Sequence, residues 1–304
     1  MANGQLLLAR QAVRCQHPLV EPVAVDRAVT AAWFLATEAG LAVDHAVVVQ
    51  NSNKLALRLL PCNVLARVGV VGQEVASLEL EIAQRLADTQ SPAASLDARV
   101  VPRVYERDGF AVTFWTYYEV RKADELWLGE YSDALQRLHW GMRRLDVATP
   151  HFTQRVEEAE GLVANRQETP ALAESDRELL MYTLQSARRT IANSDPAEQL
   201  LHGEPHPGNV LSTHDGAVFI DFETCCRGPI EFDVAHVPDN VSTSYPDVDR
   251  ELLQECRRLV LAMVAAWRWD ARDQFPNGRQ AGQHILTLLS EGPPWPALGD
   301  LDTP

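Results

Sequence analysis

Residues 202–211 read His-Gly-Glu-Pro-His-Pro-Gly-Asn-Val-Leu, and residues 217–223 read Ala-Val-Phe-Ile-Asp-Phe-Glu. Glu204, Asn209 and Asp221 are the groups there that can do chemistry. Two short apolar runs, 209–213 and 217–222, flank Asp215-Gly216, which is a strong hairpin signal. With those two residues as turn centre, His214 pairs with Ala217 and Asn209 falls opposite Phe222, beside Asp221. An amide oxygen and a carboxylate at one hairpin end are hard ligands that suit Mg²⁺ with water and phosphate. Glu204 lies five residues before Asn209 on a loop stiffened by Pro205 and Pro207. A carboxylate there can accept the proton of an attacking hydroxyl during phosphoryl transfer. Singly, Asp221 reads as a strand cap and Glu204 as a solvated side chain. The ordered set favours the chemical reading.

A second chemistry competes for the same loop. His202, Glu204 and His206 alternate, and two imidazoles with a carboxylate suit the zinc of a hydrolase. The pattern is not His-Glu-x-x-His, and Pro205 and Pro207 prevent the helix that motif requires.

Together the segments resemble the H-G-D-x-H-x-x-N and I-D-[WF] pair of aminoglycoside phosphotransferases and related small-molecule kinases. Gly228-Pro229-Ile230-Glu231-Phe232-Asp233-Val234-Ala235 resembles the same family's G-P-x-E-x-D-L-A segment. The resemblance implies ATP and Mg²⁺ as cofactors, Glu204 as catalytic base, and Asn209 and Asp221 as metal ligands. It further implies a structural role for His202 and a bracing role for Asp233. The family's usual base is aspartate, and Glu204 is one methylene longer, which changes its reach.

These residues need elements to position them, and a kinase also needs a cation on its third strand. Val64-Leu65-Ala66-Arg67-Val68 resembles V-A-I-K with Arg67 in the lysine position, and arginine binds phosphate well. The cation's partner is expected on the following helix. Glu81 pairs with Arg85 on an exposed face, while Glu79 leans to the apolar face, so Glu79 is the expected partner of Arg67. No G-x-G-x-x-G is present, and Gln50-Asn51-Ser52-Asn53 stands where a Gly-rich loop would cover phosphates. Adenine is expected against the connector Phe114-Trp115-Thr116-Tyr117-Tyr118, with Trp115 and Tyr117 as candidate contacts.

Before Tyr118 the chain reads as strands at 45–50, 54–59, 64–70, 99–105 and 111–117, with helices at 26–39 and 73–87. After it come long helices at about 124–145, 152–166, 175–193 and 247–270. The expected fold is α+β and protein-kinase-like: an antiparallel-sheet lobe over 1–114, a hinge over 115–119, and a mainly helical lobe over 120–304 carrying the catalytic loop and the substrate site.

Composition narrows the partners. The net charge is −15, without the basic run that nucleic-acid binding requires. The acidic balance suits a hydroxyl substrate that carries positive charge, with Asp124, Glu125, Glu157, Glu158 and Glu160 as candidate contacts, although a solvated helix face explains them equally. The five cysteines, Cys15, Cys62, Cys225, Cys226 and Cys256, fit neither a zinc site nor a disulfide framework. With no signal peptide and no apolar run long enough to span a bilayer, a cytoplasmic protein is expected. The expected activity is ATP-dependent transfer of a γ-phosphate to a hydroxyl of an aminoglycoside-like antibiotic or related metabolite. The alternative is a kinase-like nucleotide-binding module with weak or no turnover.

Overall fold

The computed structural model describes residues 22–51, 54–72, 75–121 and 127–301. Ser52, Asn53, Gln73, Lys122, Asp124, Glu125 and Cys15 lie outside them. The chain divides into two compact units. Within the described residues, one consists of 22–121 with 211–223, and the other of 127–210 with 224–301.

The sheet unit begins with α1 (Pro22–Glu38), then β1 (Val43–Asn51), β2 (Leu55–Pro61), β3 (Val64–Val70), α2 (Val75–Ala87), β4 (Tyr105–Arg107) and β5 (Phe110–Thr116). The strands form one antiparallel sheet in the order β1-β2-β3-β5-β4. Leu55, Leu57 and Leu59 alternate along β2, as do Val64, Ala66 and Val68 along β3, and all six are buried. They pack with Ala28, Ala31, Ala32 and Leu35 of α1 into one hydrophobic core. Strand alternation therefore sends Arg67, between Ala66 and Val68, to the opposite face. On α2 the buried residues Ala76, Glu79, Leu80, Ala83 and Leu86 recur at helical spacing, so Glu79 sits on the apolar stripe. Glu81 and Arg85 form their exposed pair on another face.

The strand expected at 99–105 shrinks to Tyr105–Arg107. Asp97 accepts hydrogen bonds from the Arg99 backbone and guanidinium, which turns the chain, and Pro102 has no N–H for a ladder.

The helical unit continues with α3 (Trp127–Met142), α4 (Phe152–Ala164), α5 (Glu174–Asn193) and β6 (Glu198–Leu201). The hairpin β7 (Val210–Thr213) and β8 (Gly216–Phe219) follows, and nearly all of it clusters with the sheet unit. It is tied there by Phe219, whose N–H donates to Pro92 O and whose carbonyl accepts from Ala94 N, and by Ser212 O, which accepts from Arg121 N. The chain then returns through β9 (Cys226–Pro229), α6 (Ile230–Val234), α7 (Asp239–Ser244), α8 (Arg250–Arg268) and α9 (Gly278–Glu291). β9 pairs antiparallel with β6. Asp249 caps α8 by accepting from Glu251 N and Leu252 N, which satisfies two donors the helix itself leaves unpaired. The apolar residues of α8 are buried almost continuously from Leu259 to Trp267, against α4, α5 and α9. None of the described helices is long and apolar enough to cross a membrane.

Candidate active site

The turn of the β7–β8 hairpin is His214–Asp215, one residue earlier than the sequence signal suggests, and Gly216 opens β8 with φ +110°. A two-residue turn followed by a positive-φ glycine is how a type I turn joins the strand twist. Both strands stop short of the residues of interest: Asn209 closes a 3₁₀ turn over Pro207–Asn209 before β7 begins, and Phe222 opens another over Phe222–Thr224 after β8 ends. Ladder pairing of Asn209 with Phe222 therefore does not occur. Asp221 sits in the short link between β8 and the second turn, with φ +73°. Few non-glycine residues adopt that conformation, and such strain concentrates at functional sites.

In the sheet unit Asp221 joins an ion cluster. The Arg67 guanidinium donates to Glu79 and Phe222 N–H donates to the same Glu79 carboxylate. Arg67 also reaches Asp221 Oδ1 at 3.2 Å and Glu223 Oε1 at 2.9 Å. Lys54 forms a second bridge, donating to Glu79 Oε2 at 3.5 Å and pairing with Glu223. Burial works against the Arg67 charge, but Glu79 and Glu223 outweigh it and raise the guanidinium pKa. Glu79, Asp221 and Glu223 offer carboxylate oxygens within 4.8 Å of one another. Three hard oxygen donors so close together suit a divalent cation such as Mg²⁺ better than a soft one.

The helical unit carries the loop 202–209, and its backbone is held at almost every residue. The Asp233 carboxylate accepts from His202 N and Gly203 N, both at 2.8 Å. His139 donates its Nε2–H to the same carboxylate at 2.9 Å, which leaves its Nδ1 to accept from the Tyr245 hydroxyl at 2.7 Å. Burial pushes the Asp233 carboxyl up, but the His139 hydrogen bond and the electrostatic influence of the surrounding imidazoles of His139, His202 and His236 bring it below the usual value. Tyr131 donates its hydroxyl to Pro205 O, Thr224 donates to His202 O, and His206 Nδ1 accepts from Gly208 N. Gly203 has φ +89°, and a Cβ there would overlap the Thr224 carbonyl oxygen, so the loop requires glycine.

Asn209 Nδ2 donates to Glu204 O at 3.0 Å. That bond identifies the amide nitrogen and leaves Oδ1 as the atom suited to a metal. Glu204 itself is only 1 % exposed, and its carboxylate pairs with Arg155 of α4. The Arg155 guanidinium lies over the Trp267 ring of α8, 4.9 Å from its centroid.

The two expected adenine contacts differ in surroundings. Trp115 is buried in β5 and donates its indole N–H to Thr113 Oγ1, whereas Tyr117 is half-buried with the Arg58 guanidinium over its ring at 4.0 Å. His202, Glu204 and His206 do not gather as a metal cluster. Among the described residues Glu79, Asp221 and Glu223 form the one such group. Cys62, Cys226 and Cys256 are free thiols. Burial raises the Cys226 and Cys256 pKa values, which suppresses thiolate chemistry.

Lys54, Arg155 and Glu223 carry no assignment from the sequence, and neither do Tyr131, His139 and Tyr245, which support the loop. Glu223 follows Asp221 by two positions, so the motif itself could have flagged it. Lys54 is one of two lysines in the chain, a scarcity that could have flagged it also. Nothing local marks Arg155.

A family model described as "Phosphotransferase enzyme family" matches residues 71–273. The chain belongs to that family. Solved structures share the fold at low identity. The amicoumacin kinase hAmiN, in complex with AMP-PNP, Ca²⁺ and Ami, is 12% identical with a TM-score of 0.67, covering 90% of this chain and 98% of its own. APH(2″)-IIia, in a complex with GDP and kanamycin, is 15% identical with a TM-score of 0.64, covering 84% and 97%. The choline kinase LicA from Streptococcus pneumoniae is 15% identical with a TM-score of 0.62, covering 86% and 99%. No curated protein matches the sequence significantly. The fold is thus α+β and protein-kinase-like, as the motifs imply.

Proposed function

We propose that this family member transfers the γ-phosphate of ATP to a hydroxyl of a small molecule. The observation that carries the reading is the fixed loop 202–209. There a carboxylate and an amide five residues apart are held on one backbone, and the amide nitrogen is engaged at Glu204 O. In this reading Glu204 accepts the hydroxyl proton and orients the oxygen for in-line attack. Asn209 Oδ1 and Asp221 hold Mg²⁺, which supplies charge stabilisation for the transferring phosphoryl group. Arg67, oriented by Glu79, meets the phosphates. Adenine lies at the connector of residues 115–119, which makes 1–114 the nucleotide-anchoring lobe and 120–304 the catalytic and substrate lobe.

The acceptor class follows the relatives' range: an antibiotic such as kanamycin or amicoumacin, or an amino alcohol such as choline. The chain's net charge of −15 favours a cationic member of that set. Incubation with MgATP and a panel of hydroxyl compounds, followed by mass spectrometry, tests the reading. A phosphorylated acceptor supports it. ATP binding without transfer to any acceptor or to water supports the second reading, a nucleotide-binding module. The burial of Glu204 against Arg155 is the observation that favours that second reading.

A further inference from the structure

We propose that Arg155 is a positioning residue for Glu204, and that glutamate rather than aspartate stands in the loop because it must reach Arg155. The inference rests on the phosphotransferase reading and concerns how this chain holds its base.

Three observations meet here. First, the loop backbone is held by groups other than the Glu204 carboxylate. Asp233 holds the N–H groups of residues 202 and 203, Asn209 holds the Glu204 carbonyl, and Tyr131 holds the Pro205 carbonyl. On a fixed backbone, side-chain length alone decides where the carboxylate arrives. An aspartate here would stop short by about 1.5 Å, one carbon–carbon bond.

Second, the carboxylate is almost wholly buried. An ionised carboxylate in that position needs a compensating charge, because desolvation otherwise costs several kcal/mol. Arg155, 49 residues earlier, supplies it.

Third, Arg155 is itself held. Its guanidinium lies over the Trp267 ring, a contact that suits a planar cation and that lysine reproduces poorly. Trp267, Arg155 and Glu204 thus form a relay from α8 through α4 to the loop. A base must be placed to within a fraction of an ångström to act well, and this relay restrains the side-chain torsions the loop leaves open.

The test is a double-mutant cycle. Parent, Arg155→Met, Arg155→Lys, Glu204→Asp and Arg155→Met/Glu204→Asp proteins are compared in steady-state kinetics with MgATP. The acceptor is kanamycin or choline or, where neither is phosphorylated, water, followed as slow phosphate release. Thermal unfolding reports the fold of each variant. Arg155→Met is expected to lower kcat by about tenfold or more with little change in KM for ATP, and Arg155→Lys to fall between it and the parent. In the Glu204→Asp background, where the pair is already broken, Arg155→Met should change kcat by less than about twofold.

Independent, multiplying effects of the two substitutions overturn the proposal. So does an Arg155→Met protein with parental kcat, and in both cases the phosphotransferase reading stands if Glu204→Gln still loses turnover. Should Arg155→Met fail to fold, Arg155→Lys decides, and parental kcat there overturns the proposal equally. If the folded parent transfers phosphate to no acceptor and not to water, the phosphotransferase reading itself fails, and this inference with it.

Discussion

Arg67 in the sheet unit divides one guanidinium among three carboxylates, whereas Asp233 in the helical unit divides one carboxylate among three N–H donors. In the first cluster Lys54 and Arg67 bring two positive charges against the three negative charges of Glu79, Asp221 and Glu223, which leaves one negative. Such a cluster is disposed to take up a cation, and its bridges can exchange partners when one binds. In the second, the donors are two backbone amides and one histidine that a tyrosine hydroxyl orients in turn. Every bond there has fixed geometry and serves to hold a loop still. The difference separates two arrangements of buried charge: one keeps a surplus negative charge that suits a cation, the other immobilises a chain.

Five measurements would break or sharpen that contrast. Asp221→Ala removes a formal charge from the ion-collecting cluster and should abolish turnover, while Asn209→Ala, which removes only a dipole, leaves a measurable remainder. Steady-state kinetics with a confirmed acceptor compares them, and an active Asp221→Ala protein would refute the assigned metal role. Glu204→Gln keeps the size of the side chain and removes the base. Turnover should fall roughly 10²–10⁴-fold while MgATP still raises the melting temperature. Parental turnover by Glu204→Gln would show that the fixed loop does not present a base.

Asp233 tests the immobilising cluster. Asp233→Ala leaves two buried loop amides unaccepted and should cost about 3–5 kcal/mol in chemical denaturation. Acidity offers a gentler probe of the same residue. Its carboxyl sits below the usual value in the folded protein, so it contributes stability above the unfolded pKa of about 4 and loses it as pH falls through the folded value. Asp233→Asn should therefore flatten the loss of stability below about pH 4. An unchanged acid profile would count against the clamp. The smallest effect is expected at the exposed Glu81–Arg85 pair of α2. Arg85→Ala should change stability by about 0.5 kcal/mol or less, and a larger effect would mean that surface charge matters here as much as buried charge.

Much of this was legible from local patterns. The helical spacing of α2 distinguishes Glu79 from Glu81, and the strand alternation of β3 separates Arg67 from Ala66 and Val68, so their meeting follows from two periodicities. The four long helices lie within a few residues of where apolar spacing puts them. Where the sequence misled, the reason was a competing local interaction. Asp97 and Arg99 bend the segment expected to be a strand, and Gly216 takes the positive φ that moves the hairpin turn by one residue. What stayed hidden was long range. Arg155 meets Glu204 across 49 residues, and Lys54 meets Glu223 only because the β7–β8 hairpin attaches to the segments 92–94 and 120–121. No periodicity within one element reports on a bond to another element far along the chain.

The left-handed backbone of Asp221 has a consequence for how this protein could change over generations. Holding an aspartate at φ +73° costs about 1–2 kcal/mol. Glycine adopts that conformation freely, but it enlarges the entropy of the unfolded chain by an amount worth about 0.4–1 kcal/mol. The two backbone effects nearly cancel, so the backbone conformation by itself exerts little pressure for aspartate over glycine here. The exchange would still erase a charge the ion cluster depends on. The backbone therefore gives quality control little to detect at this codon. Under the proposed metal role, the need for the activity is the stronger force keeping the carboxylate in place.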